Sequence, residues 1–76
     1  MGQICNQILL ETIAKRVREL REEKKITQEI FYFDTNIHIG RIETAKVNIT
    51  ISTLDSICSY LQTDLSTFFK DFGNTQ

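Results

Sequence analysis

One histidine, two cysteines and three scattered glycines leave little from which to build an enzyme. His38 stands alone, so neither a zinc cluster nor a histidine-based acid/base pair can be assembled within one chain. The carboxylates are spread out, and no nucleophile–base pair is recognisable among them. Gly2, Gly40 and Gly73 do not cluster, which excludes a phosphate-cradling loop. Cys5 and Cys58 are too few and too far apart for a disulfide framework or a zinc site. They read as small packing residues, and such usage fits a reducing cytoplasm. No apolar run approaches the ~20 residues of a membrane span, and Met1 to Leu10 has no basic region ahead of a long apolar stretch. Without a secretion signal, the Asn48-Ile49-Thr50 triplet is a glycosylation acceptor in spelling only. The expectation is a non-enzymatic protein with no metal, no cofactor and no membrane partner.

What is present suits a small folded domain. A chain of 76 residues makes one domain, 1–76 with its core in 8–72, and buries only about 60% of the surface its unfolded form exposes. Hydrophobic residues at 41% and charged residues at 25% set it apart from disordered and membrane chains. The net charge of −1 argues weakly against a polyanionic partner, but the distribution matters more than the sum. Lys15, Arg16, Arg18, Arg21, Lys24 and Lys25 fall close together, Arg41 and Lys46 follow, and acidic Asp55, Asp64 and Asp71 come later. Part of this basic cluster is a solvated helix face, since Glu11 and Lys15 stand four apart in the favourable order.

Periodicity predicts five helices. From Ile8 to Lys25, Leu9 or Leu10, Ile13, Val17 and Leu20 recur at spacings of three and four and form one buried stripe. Ile26 reads as an interhelical contact and Thr27 as the N-cap of a second helix, Gln28 to about Asp34, with Phe31 its main buried residue and Tyr32 partly exposed. Thr35-Asn36 is a break: the threonine can cap the next helix, and asparagine tolerates a left-handed backbone. A third helix is expected from about Asn36 to Thr44, burying Ile39 and Ile42. Thr50 caps a fourth, with Ile51, Leu54, Ile57, Cys58 and Leu61 inward. Asp64 caps a fifth, Leu65 to about Asp71, and the tail from Gly73 frays. Val47 to Ile51 also alternates as a strand does, and a homodimer would supply its partner.

A short second helix, a tight turn and a third helix make the helix-turn-helix plan. The string from Ile13 to Glu29 (Ile-Ala-Lys-Arg-Val-Arg-Glu-Leu-Arg-Glu-Glu-Lys-Lys-Ile-Thr-Gln-Glu) resembles the opening of the phage-repressor (Cro/C1, or XRE) family. Arg41-Ile42-Glu43 and the run Ile51 to Leu61 resemble that family's third and fourth helices, and Leu65 to Phe69 its fifth. The resemblance covers Ile13 to Phe69. It implies an all-α, compact five-helix bundle, a lambda-repressor-like DNA-binding domain, with double-stranded DNA as partner.

Chemistry gives the matched positions roles. Gln28 can donate amide hydrogens to a phosphate at a helix terminus whose free N–H groups point the same way. Arg21 and Glu43 match a family pair that ties helix one to helix three. Thr27, Gln28, Thr44, Lys46 and Asn48 form the expected phosphate-contacting set, Lys46 and Asn48 as the family resemblance implies. Such contacts position the protein without carrying sequence information. Base reading falls to Thr35, Asn36, His38 and Arg41, since asparagine pairs well with adenine and arginine with guanine in the major groove.

The chain also departs from the family. About three residues fewer separate Gln28 from the Ile-Glu of helix three, Gly40 stands where many relatives carry a polar contact residue, and Ile49 replaces a frequent proline. Ala45 replaces a glycine that ends helix three in a left-handed conformation, so either the alanine adopts that geometry at about 1 kcal/mol or the helix runs on. The leading functional expectation is a transcriptional repressor that binds a partly palindromic site as a homodimer, through Leu65, Phe68, Phe69 and Phe72 or through Ile4, Ile8 and Leu9. The alternative is a protein-interaction module such as an antitoxin, whose main contact is a protein partner.

Overall fold

The computed structural model describes residues 6–70, and all its regular elements are helices: α1 Gln7–Glu23, α2 Gln28–Thr35, α3 Ile39–Ile42, α4 Ile51–Tyr60 and α5 Leu65–Phe69. Ile4, Cys5, Asp71, Phe72 and the tail from Gly73 lie outside the described residues. No strand occurs among the described residues, which corrects the strand reading of Val47 to Ile51. A single strand has no partner for its backbone groups. The Thr50 hydroxyl instead accepts the Thr53 N–H at 3.0 Å and starts α4 at Ile51.

Four helices begin on a side-chain cap. Asn6 accepts from the Leu9 N–H, Thr27 from Ile30, Thr50 from Thr53 and Asp64 from Thr67, at 2.9, 3.1, 3.0 and 2.7 Å. Each such cap contributes about 1 kcal/mol by satisfying a donor the helix leaves orphaned. At the other ends, with no proline in the chain and no glycine to take the left-handed position, ordinary residues do so. Lys25 (φ 59°) follows α1 and Gln62 (φ 63°) follows α4. In both places the backbone closes a Schellman motif: Ile26 N–H bonds the Arg21 carbonyl and Thr63 N–H the Cys58 carbonyl. This reversal ends α1 at Glu23 rather than at the expected Lys25.

The core gathers the predicted stripe of α1 (Ile13, Val17), Phe31 of α2, Ile39 of α3, Leu54, Ile57 and Cys58 of α4, Leu61 just beyond it, and Phe68 of α5. Burying side chains of this size stabilises by about 1.5–3 kcal/mol each. Phe31 lies edge-on to Tyr60 with ring centroids 4.8 Å apart, joining α2 to α4. Tyr60 then donates its hydroxyl hydrogen to Asp34. Burial, with the nearby charges of Asp55 and Asp64, pushes the Cys58 thiol up, which keeps it a protonated packing group.

Two expectations about burial need correction. Ile51 has the spacing of the inward α4 stripe, but it is 67% exposed because it begins the helix at the edge of the packed layer. Of the residues proposed for a dimer contact, Phe68 is buried in the core and Leu65 and Phe69 are half-buried against it, while Ile8 and Leu9 are exposed. On α2 the expectation holds: Phe31 turns fully inward, whereas Ile30 and Phe33 face solvent.

Candidate nucleic-acid interface

The turn after α2 is built from its last residue outward. Thr35 does not cap the next helix, contrary to expectation. It closes α2, donating its hydroxyl hydrogen to the Phe31 carbonyl at 2.7 Å and accepting the Ile37 N–H at 3.1 Å. Asn36 follows in the left-handed conformation (φ 63°), the geometry its side chain tolerates. A residue at positive φ cannot continue a right-handed helix, so the third helix does not run from Asn36 to Thr44. It is one turn, Ile39–Ile42, with His38 at its N-cap position and no side-chain cap bond there. Past α3, Thr44 donates its hydroxyl hydrogen to the Arg41 carbonyl at 2.6 Å, and Ala45 is left-handed (φ 61°). Of the two geometries open to Ala45, the chain takes the left-handed one.

Beside the buried Ile39 and the half-buried Ile42, one ion pair fixes the end of so short a helix. Arg21 Nε and Nη2 donate to the two carboxylate oxygens of Glu43 at 2.7 and 3.0 Å, and Nη1 donates to the Ile26 carbonyl at 2.8 Å. Arg21 is 8% exposed and Glu43 7%. Gln28 Nε2 adds a hydrogen bond to Glu43 Oε1 at 2.9 Å, and Arg18 lies 3.7 Å from the same oxygen. Desolvation pushes the Glu43 carboxyl up, but hydrogen bonds from Arg21 and Gln28 and the charges of Arg21 and Arg18 outweigh it. The group is held below the usual carboxylate range. The same hydrogen bond to Glu43 raises Arg21, against a smaller opposing effect of desolvation. A fork-to-fork pair of this kind fixes direction as well as distance. It sets the angle between α1 and the exit of α3.

On the open side of that anchor the structure brings several expected residues together. Asn36, His38 and Arg41 are exposed and line one cleft with Ile37, Ile42 and Thr53. His38 and Arg41 also line a second cleft, between α2 and α3, opposite Gln28, Glu29 and Tyr32. They therefore form a ridge between two depressions. The imidazole of His38 packs on the ring of Tyr32, with centroids 4.4 Å apart and planes 31° from parallel. Thr35 is half-buried with its hydroxyl committed to backbone partners. Thr27, Thr44, Lys46 and Asn48 are exposed, but Asn48 lines a separate groove against the start of α1. Gln28 keeps an exposed position, yet its side chain bends onto Glu43 and lies over Gly40.

Sequence reasoning missed Tyr32 and the Gln28–Gly40 approach. The signal for both was modest: Gln28 and Tyr32 are four residues apart and so share one face of α2. It also missed Gln7, whose side chain donates to the Ala45 carbonyl at 3.1 Å and braces the turn after α3 from α1.

A buried core on one side and a polar ridge beside a short helix on the other is a helix-turn-helix arrangement, and the Cro/C1-type HTH DNA-binding domain matches residues 16–72. The chain belongs to that family. It is accordingly a DNA-binding transcription regulator with an all-helical Cro/C1-type fold. Neither a curated protein nor a solved structure matches it. Among the described residues no helix is long and apolar enough to cross a membrane.

Proposed function

We propose that this Cro/C1-type domain is a cytoplasmic repressor that binds a partly palindromic operator as a homodimer and acts by occupying it. The observation that carries the reading is the ridge of His38 and Arg41, flanked by Asn36, on a helix whose exit is fixed by the buried Arg21–Glu43 pair. Asparagine and arginine supply hydrogen-bonding patterns suited to adenine and guanine edges, and the imidazole adds a further polar group. Thr35 shapes the turn that presents them. Thr27, Thr44, Lys46 and Asn48, with the backbone N–H groups that open α2 at Gln28, contact phosphates around this centre and set its position on the duplex. One turn of helix reaches few bases, and two-fold pairing doubles that number across half-sites one DNA turn apart. The exposed Ile8 and Leu9 support the pairing surface.

A second reading, a protein-interaction module of the antitoxin kind, is supported by Phe33, which is 87% exposed beside the half-exposed Ile30 on α2. Fluorescence titration against random duplex DNA at low and high salt separates the two. The repressor reading expects salt-sensitive binding, with Lys46→Ala weakening all sequences alike and reducing the salt slope by about one. Absence of salt-sensitive binding at micromolar protein overturns it. Selection of bound sequences from a random pool then reports the half-site spacing, and sedimentation of the complex reports the stoichiometry.

A further inference from the structure

The cleft between α2 and α3 has a feature that phosphate contact alone does not account for. A β-carbon built on Gly40 would stand 2.9 Å from Gln28 Oε1, 3.4 Å from its Cδ and 3.7 Å from its Nε2. The carboxamide of Gln28 thus fills the space through which a side chain at position 40 would leave α3. It is held there by the bond from Nε2 to Glu43 Oε1, and Glu43 is itself locked by Arg21. Because the carboxylate only accepts hydrogen bonds, it also settles which end of the amide is nitrogen.

An amide has two N–H hydrogens and one carbonyl oxygen. Glu43 uses one hydrogen. What is left is one donor and one acceptor, the two functions that an adenine edge matches at N7 and N6 in the major groove. The surroundings favour a base over a phosphate, because the nitrogen already serves one carboxylate and Glu29 lines the same cleft. An anion, which only accepts, could use the one remaining N–H but would leave the carbonyl acceptor unmatched. Tyr32 and His38, packed ring on ring, form part of the lining, and Arg41 completes the row of polar groups.

We propose that Gln28 of α2, seated over Gly40, is a base-reading residue of this domain and specifies an adenine in each half-site. The reading surface is then composite, with α2 supplying through Gln28 the contact that a one-turn α3 lacks at Gly40. Any phosphate contact at this position passes to the N–H groups that the first turn of α2 leaves without helical partners. The inference rests on the DNA-binding reading above.

The test is a selection from a random duplex pool with the full chain, repeated for Gln28→Ala and Gly40→Ala. The Gly40→Ala change leaves Gln28 in the sequence but places a methyl group where its carboxamide sits, and it favours helix, so it separates loss of reading from loss of folding. The expected result is that wild type prefers A·T at one position per half-site. Both variants, folded by circular dichroism, lose about tenfold or more of that preference at the same position, and preferences elsewhere are kept. If Gln28→Ala weakens every sequence equally, or leaves the selected sequence unchanged, the residue is not a base reader and the proposal falls. If wild type binds no DNA in a salt-sensitive way, the repressor reading falls first and takes this inference with it.

Discussion

The two ends of this domain are stabilised by different physics. The body formed by α1, α4 and α5 rests on Ile13, Val17, Leu54, Ile57, Leu61 and Phe68, all buried, and its helices start on Asn6, Thr50 and Asp64. Apolar burial is non-directional and shared among many atoms, so no single contact in the body decides its shape. The end proposed to read DNA, called the reading end below, has Ile39 and Ile42 to dock a single turn of helix, and beyond these it depends on the Arg21–Glu43–Gln28 network. Hydrogen bonds between charged groups are directional. The contrast suggests a division of work: the body supplies stability, and the network supplies the angle at which polar side chains leave the surface.

The sharpest way to break that contrast is to cut the network. Glu43→Ala leaves the guanidinium of Arg21 buried without its partner, and removing one member of a buried pair costs about 3–5 kcal/mol. In a domain of this size that is a large part of the total, so urea denaturation should show a much lower midpoint, or no cooperative transition at all. Replacing both members with apolar residues, R21M together with E43L, is the discriminating companion. Removal of a whole buried pair is often neutral for stability. The double variant should therefore recover most of the lost stability while DNA affinity stays low, because the angle of α3 is no longer specified. Full recovery of both would show that the network has no orienting role.

Acid should weaken the reading end through the same carboxylate. Glu43 is held below its usual range in the folded state, so the stability it contributes is fully present above its unfolded value, near pH 4.3, and is lost as pH falls through the lower folded value. Stability measured from about pH 5 downward should fall more steeply for wild type than for Glu43→Gln, which has no proton to take up at this position. Equal slopes would mean that the acid limb belongs to other carboxylates.

Helix caps offer a milder comparison. Thr50→Ala in the body and Thr27→Ala at the reading end should each cost about 1 kcal/mol, read as a lower thermal midpoint. If the division of work holds, the second change should weaken DNA binding by more than its stability cost explains, since Thr27 sets the start of α2 beneath Gln28. Matching effects on binding would argue against it.

The division also explains what the sequence makes legible. Thr27, Thr50 and Asp64 are recognisable as caps because a short polar side chain ahead of an apolar run satisfies an orphaned donor locally. The buried stripe of α1 is visible because its period matches the helix. The Arg21–Glu43 pair crosses 22 residues, and only the family resemblance brings it forward. The extent of α3 is not legible in the sequence because Ile39 and Ile42 carry the helical spacing over one turn only, while Asn36 and Ala45, both left-handed, cut the helix from either side. Thr35 has the chemistry of an N-cap, but its hydroxyl bonds backward to Phe31 instead. Gln28 over Gly40 has no one-dimensional signature, because it arises from how α2 and α3 cross.

The smallest expected effects concern the left-handed residues, and they compare the two ends at a single backbone feature. Lys25 and Gln62 follow body helices, and Ala45 follows α3, each with φ near +60°. For a residue with a β-carbon this conformation costs roughly 1–2 kcal/mol, while glycine adopts it freely but loses more chain entropy on folding. Lys25→Gly and Gln62→Gly should therefore each raise stability by about 0.5–1 kcal/mol, measured by urea denaturation. Ala45 differs in one respect: its side chain is buried, so Ala45→Gly also gives up apolar contact worth a fraction of that sum. Its gain should be smaller than the other two, and it should leave the Gln7 bond to its carbonyl intact. A gain at position 45 as large as at 25 and 62 would mean that the methyl group contributes nothing to packing. A net loss would mean that the methyl contributes more than the strain it carries, and the reading end would then depend on apolar contact more than its hydrogen-bond network suggests.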